Sequence, residues 1–200
     1  MLFSKAFFSE IGKISSKIDY DKLEALVEKL YFLRKNEGRL FICGVGGSAG
    51  NASHAVNDFR KLCGIEAYAP TDNVSELTAR TNDEGWETVF TGWLKVSKLS
   101  KKDSLLILSV GGGNALKSVS MNLVNCIDFA IERGVPIYAI LGRNDGYASK
   151  HADISIIVPE VNPKLVTPYS ESFQTIIWHY LVLRPENGNQ IARSSLYTVC

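Results

Sequence analysis

The sequence predicts an α/β fold, with a parallel sheet covered on both faces by helices. Three observations predict it. From residue 39 onward, apolar strand-like runs alternate with helix-like runs. Runs such as RLFICG (39–44) and SLLILS (104–109) are apolar nearly throughout rather than at every second position. That is the mark of strands buried on both faces. Two glycine-rich turns, Gly44-Val45-Gly46-Gly47-Ser48 and Ser109-Val110-Gly111-Gly112-Gly113-Asn114, each follow such a run and open a helix-like one.

The elements follow in order. Residues 3–17 read as a weak helix. Asp21–Lys35 places Leu23, Leu26, Val27, Leu30, Tyr31 and Leu33 mostly at three- and four-residue steps, an amphipathic helix. Asn36-Glu37-Gly38 stops it. Arg39–Gly44 is a buried strand, Ala49–Leu62 a helix and Ile65–Ala69 a short strand. Helices are predicted over 74–81 and 84–98, a strand over Ser104–Ser109, and a long helix over Ala115–Arg133. Gly134 and Pro136 turn the chain into the strand Ile137–Leu141, and DISIIV (153–158) is a fifth strand. The helix Thr167–Leu183 is expected to be capped by Thr167, with Pro168 at its first position. The chain from Arg184 reads as loop and tail.

Two hundred residues suit one domain with a sizeable core. It divides into an N-terminal helical segment (1–37), an α/β core (38–184) and a tail (185–200). A formal net charge of +1 gives no reason to expect nucleic acid or an anionic membrane as partner. The apolar runs are too short to span a bilayer. Met1-Leu2-Phe3-Ser4-Lys5 lacks the layout of a secretory signal, so a cytoplasmic protein is expected. Cys43, Cys63, Cys126 and Cys200 show no C-x-x-C spacing and are expected to be thiols.

Glycines at a strand-to-helix turn let backbone N–H groups approach an anion, and a helix N-terminus adds favourable partial charge. Gly46, Gly47 and Ser48 in the first turn, and Ser109, Gly111, Gly112, Gly113 and Asn114 in the second, are therefore candidates to hold a phosphate. The second turn would do so chiefly through its backbone. The alternative is that both merely make tight turns. Gly44, Gly46 and Ala49 also fit the dinucleotide pattern G-x-G-x-x-A. A nicotinamide site wants an acid near the end of the second strand, and neither Glu66 nor Asp72 is well placed.

His54 and Asp58 are four apart on one helix, so they share a face and can chelate a divalent ion. Glu171 and His179 interrupt the apolar last helix. They lie about 80° apart around it and can lean toward one point. Each has a plainer reading: an exposed ion pair for His54 and Asp58, dipole stabilisation for Glu171, and a hydrogen-bonded core imidazole for His179.

CGVGGSAGNASHAVNDF (43–59) resembles the first motif of sugar isomerase (SIS) domains, and more narrowly that of the sedoheptulose-7-phosphate (phosphoheptose) isomerases. The resemblance continues through VSELTARTNDEGWETVF (74–90), LLILSVGGGNA (105–115), GRNDGYASKHADISIIVP (142–159) and SESFQTIIWHYL (170–181). It implies a three-layer fold with a five-stranded parallel sheet, N-terminal helices used in a homotetramer, and active sites at subunit interfaces. It implies a metal-binding His54, a catalytic carboxylate at Asp58, a substrate- and metal-binding position at Glu171 and a catalytic His179. All four are potential zinc ligands, and no nucleotide cofactor is implied. It makes Ser48 a phosphate-binding serine and brings in Asn82 and Asp83 as further substrate-binding residues.

Three departures stand out. Asp58 stands where the family has the longer glutamate, and Glu171 where it has glutamine. The second turn keeps only Ser109 of the hydroxyls usual there. The implied reaction is aldose–ketose isomerisation of a phosphorylated sugar, sedoheptulose 7-phosphate to a heptose 7-phosphate used for surface polysaccharides. Asp58 would remove the proton beside the carbonyl, and His179 would exchange protons with the sugar oxygens. The thinned second turn keeps an alternative open: a non-catalytic SIS module that binds a phosphosugar or a partner protein as a regulator.

Overall fold

The structure is a computed structural model and describes residues 2–188. Two helices come first, α1 (Phe3–Ser15) and α2 (Tyr20–Lys35). Asp19 caps α2 by accepting the Lys22 N–H. Then follow β1 (Leu40–Gly44), α3 (Gly47–Cys63), β2 (Ala67–Tyr68), α4 (Val74–Glu84) and α5 (Val89–Val96). The chain continues through β3 (Ser104–Ser109), α6 (Met121–Glu132), β4 (Ile137–Leu141), α7 (Tyr147–His151), β5 (Ile154–Ile157) and α8 (Val166–Leu183). The five strands form one parallel sheet in the order β2-β1-β3-β4-β5. The three-layer, five-stranded expectation holds.

Strand alternation divides the core in two. Leu40, Ile42, Leu106, Leu108 and Ile140 pack with α1, α2, α3 and α8 on one face. Phe41, Cys43, Leu105, Ile107 and Ala139 pack with α5, α6 and α7 on the other. Each large side chain so buried contributes about 1.5–3 kcal/mol. An exposed pair such as Lys22–Asp19 contributes under about 1 kcal/mol, so the two apolar clusters decide the fold.

The strand order places the site. The chain leaves β1 through α3 toward β2, and leaves β3 through α6 the opposite way toward β4. Where strand order reverses, a crevice opens beyond the C-terminal strand ends. Both glycine turns lie there.

Several expected boundaries move. The long helix predicted from Ala115 begins only at Met121. Asn114 and Val119 exchange two backbone hydrogen bonds (2.9 and 3.0 Å), and Ser118 and Ser120 take left-handed conformations, so 114–120 is a small hairpin. The single helix predicted over 84–98 breaks at Gly85 (φ 87°) into a 3-10 turn, Trp86–Thr88, and α5. The helix α8 starts at Val166, so Thr167 is no cap and Pro168 is its third residue, where the missing N–H is still harmless. The short helix α7 was not foreseen. The expected tail begins with a docked turn: Asn187 is fully buried and donates to the Leu181 carbonyl (2.7 Å). Residues 189–200, including Cys200, lie outside the described part. Cys43, Cys63 and Cys126 are buried free thiols, as expected. No helix among the described residues is long and apolar enough to cross a membrane.

Candidate functional site

The helices α3 and α8 run parallel and in register. Gly47 lies against Glu171, Asn51 bonds to residues 171, 174 and 175, His54 meets Trp178 edge to face, Asp58 faces His179, and Cys63 meets Val182. Asn51 is the pin. Its amide donates to the Glu171 carbonyl (2.9 Å) and to Gln174 Oε1 (3.0 Å), and its carbonyl oxygen accepts from the Thr175 hydroxyl (2.9 Å).

This register gathers three of the four expected ligands. Asp58 Oδ2 lies 3.8 Å from His54 Nε2 and 3.6 Å from His179 Nε2. Ligand atoms of His54, Asp58 and His179 lie within 4.8 Å of one another, and among the described residues this is the cluster that fits a metal ion. Bonds of about 2.0–2.1 Å meeting at a tetrahedral angle would set ligand atoms about 3.3 Å apart, close to the spacing here.

Neighbouring groups orient these donors. His179 Nδ1 donates to the Thr175 carbonyl (2.8 Å). A carbonyl only accepts, so Nδ1 carries a proton and Nε2 is the ring nitrogen left to face Asp58 or a metal. The Asp58 Oδ1 atom accepts from the Asn57 amide (2.8 Å), leaving Oδ2 for the two rings. The buried Trp178 ring lies 4.7 Å from the His54 ring and 3.6 Å from that of His179. Asp58 is 13% exposed, against 58% for His54 and 42% for His179. The carboxylate thus lies at the bottom of an open cleft.

Glu171 does not join the cluster. A Cβ on Gly47 would fall 2.6 Å from each of its carboxylate atoms, so the carboxylate lies on Gly47, the first residue of α3. The N-terminus of α3 thereby carries a negative group from the protein itself. Gly46, just before, has φ 65° and ψ −129°, a conformation only glycine adopts readily. Ser48 is buried behind it.

The second turn is differently built. The Gly112 N–H donates to Ser109 Oγ (2.9 Å), and the Asn114 N–H goes to Val119. The Asn114 side chain accepts from the Lys117 N–H (3.0 Å). Of the amides of Gly111, Gly112, Gly113 and Asn114, those of Gly111 and Gly113 have no protein acceptor among the described residues. Asn82 and Asp83 are exposed at the end of α4, bonded to each other (2.7 Å), with no hydrogen bond or ion pair to the cluster. For the nicotinamide alternative, Glu66 accepts from Tyr68 and Asp72 from Ser53, so both acids serve neighbouring side chains.

Sequence reasoning missed Asn51, Thr175 and Trp178. Asn51 precedes His54 by one helical turn, and Thr175 precedes His179 by four residues, a spacing that puts its carbonyl under the ring. Trp178 reads only as core.

The chain as a whole is similar to known proteins. The SIS domain family pattern matches residues 6–142. The lincomycin biosynthesis protein LmbN of Streptomyces lincolnensis is 31% identical over 183 residues, 86% of this chain and 65% of that protein. A phosphoheptose isomerase of Pelodictyon phaeoclathratiforme is 30% identical over 166 residues, 80% of this chain and 74% of that one. The solved phosphoheptose isomerase GmhA of Neisseria gonorrhoeae superposes with a TM-score of 0.77 at 24% identity, covering 90% of this chain and 95% of the other.

Proposed function

The chain belongs to the SIS-domain family, and on that premise we propose that it is a phosphosugar isomerase, interconverting sedoheptulose 7-phosphate and a heptose 7-phosphate. The observation that carries this reading is the meeting of two imidazoles and one carboxylate from α3 and α8. Isomerisation needs a base at the carbon beside the carbonyl and a group that shuttles protons between the two oxygens. Asp58 Oδ2 is the base. His179 Nε2, oriented through Thr175, handles the oxygens.

The same donor atoms suit zinc, which His54, Asp58 and His179 would hold; an Nε2 engaged by zinc has no lone pair for a proton, so with the metal bound His179 would serve as a ligand and the proton traffic would fall to the Asp58 carboxylate. When bound, zinc supplies Lewis-acid stabilisation of negative charge on sugar oxygens. Glu171, seated on Gly47, is assigned to the substrate hydroxyls. Ser48, Ser109 and the free amides of Gly111 and Gly113 hold the phosphate and so position the reacting carbon.

A homotetramer with shared sites fits two further features. His54 lies seven residues beyond Gly47, about 10 Å along α3, so one chain spreads its phosphate turn and its acid–base pair apart. A groove of about 390 Å³ between the α1–α2 junction and α8, with Ile176 half exposed, offers an apolar contact surface. Asn82 and Asp83 would then reach a neighbouring subunit's site.

The test is turnover of sedoheptulose 7-phosphate by zinc-loaded protein beside Asp58→Asn and His179→Ala. Loss in both variants and on chelation supports the assignment; unchanged turnover in either variant removes that residue's role. The partly committed second turn favours one other reading, a phosphosugar-binding regulator. It predicts a ligand-raised melting temperature with neither metal nor turnover.

A further inference from the structure

We propose that the opposite end of the sheet carries a second site, for a nucleoside diphosphate. A cavity of about 700 Å³ opens between α2, the loop before β3 and the start of β4. It adjoins a second hollow of about 440 Å³, with Lys29, Pro136 and Tyr138 common to both. Small-molecule sites occupy roughly 300–1,000 Å³, far more than an inorganic phosphate fills.

The charge on its walls is unbalanced. Lys29, Lys101 and Lys102 line the cavity, and none forms an ion pair among the described residues. The acids nearby are engaged elsewhere. Asp103 is held by Arg39 (2.8 and 2.9 Å) and by the Ser100 N–H (2.9 Å). Asp153 accepts the Ile137 N–H (2.8 Å). The one carboxylate in the cavity lining, Asp103, is already matched by Arg39, so the three ammonium groups are left in excess and call for an anion; lysine binds phosphate as a point charge without demanding one geometry.

The remaining surface suits a ring. Ser104 and Tyr138, 2% and 4% exposed, bond to each other through their side chains and close the floor. Phe32, 45% exposed, stands at the rim with Leu33 and Pro136, a flat apolar face on which a base can stack. Phosphates on the lysines and a base on Phe32 together describe a nucleotide. The site is distinct from the acid–base cluster. Ser104 begins β3 and Ser109 ends it, about 17 Å apart at about 3.3 Å per residue.

Calorimetry on the full chain with ADP, adenosine and inorganic pyrophosphate tests this. ADP should bind, adenosine should not, and pyrophosphate should bind at least tenfold more weakly than ADP. Lys29→Ala and the pair Lys101→Ala/Lys102→Ala should each weaken ADP about tenfold. Phe32→Ala should weaken ADP about tenfold and leave pyrophosphate unchanged. Binding should survive Asp58→Asn and chelation, so that failure of the isomerase reading leaves this result standing. No ADP binding at millimolar concentration overturns the proposal. So does ADP binding indifferent to the lysines, equal affinity for pyrophosphate, or loss of binding in Asp58→Asn.

Discussion

The two glycine turns look alike in sequence and differ in what they can do. The first runs straight into a helix of seventeen residues, so its glycines open onto α3 and its partial charge. The second is separated from α6 by the 114–120 hairpin, and two of its amides are already bonded within the loop. The first turn is also tied to chemistry, because α3 carries His54 and Asp58 and is pinned to α8 by Asn51. A glycine-rich turn is therefore only a permission for backbone approach. What the next element does with the freed N–H groups decides whether an anion finds them.

The largest effects should arise from the helix behind the first turn. Asp58→Asn keeps shape and removes the base, so kcat should fall by about 10²–10⁴-fold, the usual worth of a positioned acid or base. His179→Ala should act similarly. Circular dichroism should show both variants folded. A rise in KM with kcat unchanged would mean that Asp58 binds rather than reacts.

The sharpest contrast is one substitution made in both turns. In Gly47→Ala the new methyl meets the Glu171 carboxylate at 2.6 Å, whereas at Gly111 nothing lies within 4 Å. Gly47→Ala should cost little stability, because the Glu171 carboxylate is the end of a flexible side chain and can swing aside, but the displaced carboxylate should raise KM. Gly111→Ala should stay within about 0.5 kcal/mol and displace no side chain. Equal KM values in the two variants would erase the distinction between the turns.

How much of this could be read from residues alone differs in the same way. The strands were legible because apolar runs must be buried on both faces of a covered sheet. The pairing of His54 with Asp58 was legible because a spacing of four is a local property of a helix. Their meeting with His179 needed the parallel register of α3 and α8. That register is set by Asn51 and partners more than a hundred residues away, so no local pattern announces it. The separate position of Glu171 has the same origin. The hairpin was missed because Ala115, Leu116 and Val119 look like the first apolar positions of a helix. Only the Asn114–Val119 backbone bonds reveal that the chain turns back instead.

A smaller effect separates charge from shape at the first turn. Glu171→Gln keeps the side chain on Gly47 and removes its negative charge. A carboxylate at a helix N-terminus is worth about 0.3–1 kcal/mol, so the variant should lose some stability. For a chain of this size that is roughly 1–4 °C in Tm. Binding of inorganic phosphate should tighten, because the resident anion no longer repels it. Weaker phosphate binding in the variant would show instead that the carboxylate organises the turn for its ligand.

The smallest effect belongs to the hairpin that sets the second turn apart. Leu116 is 99% exposed at its tip, and the hairpin is closed by backbone bonds and by the Asn114 side chain. Replacing Leu116 by Ser removes no buried contact and no hydrogen bond, so the stability of one chain should change by less than about 0.5 kcal/mol. A larger change that depends on protein concentration would mean that Leu116 is covered by a second copy. The hairpin would then be an assembly element inserted between glycine turn and helix, and the second turn would have exchanged its helix N-terminus for a subunit contact. Melting curves at two concentrations a hundredfold apart distinguish the outcomes: coincident curves keep the hairpin a solvated spacer, and a shift of several degrees makes it an interface.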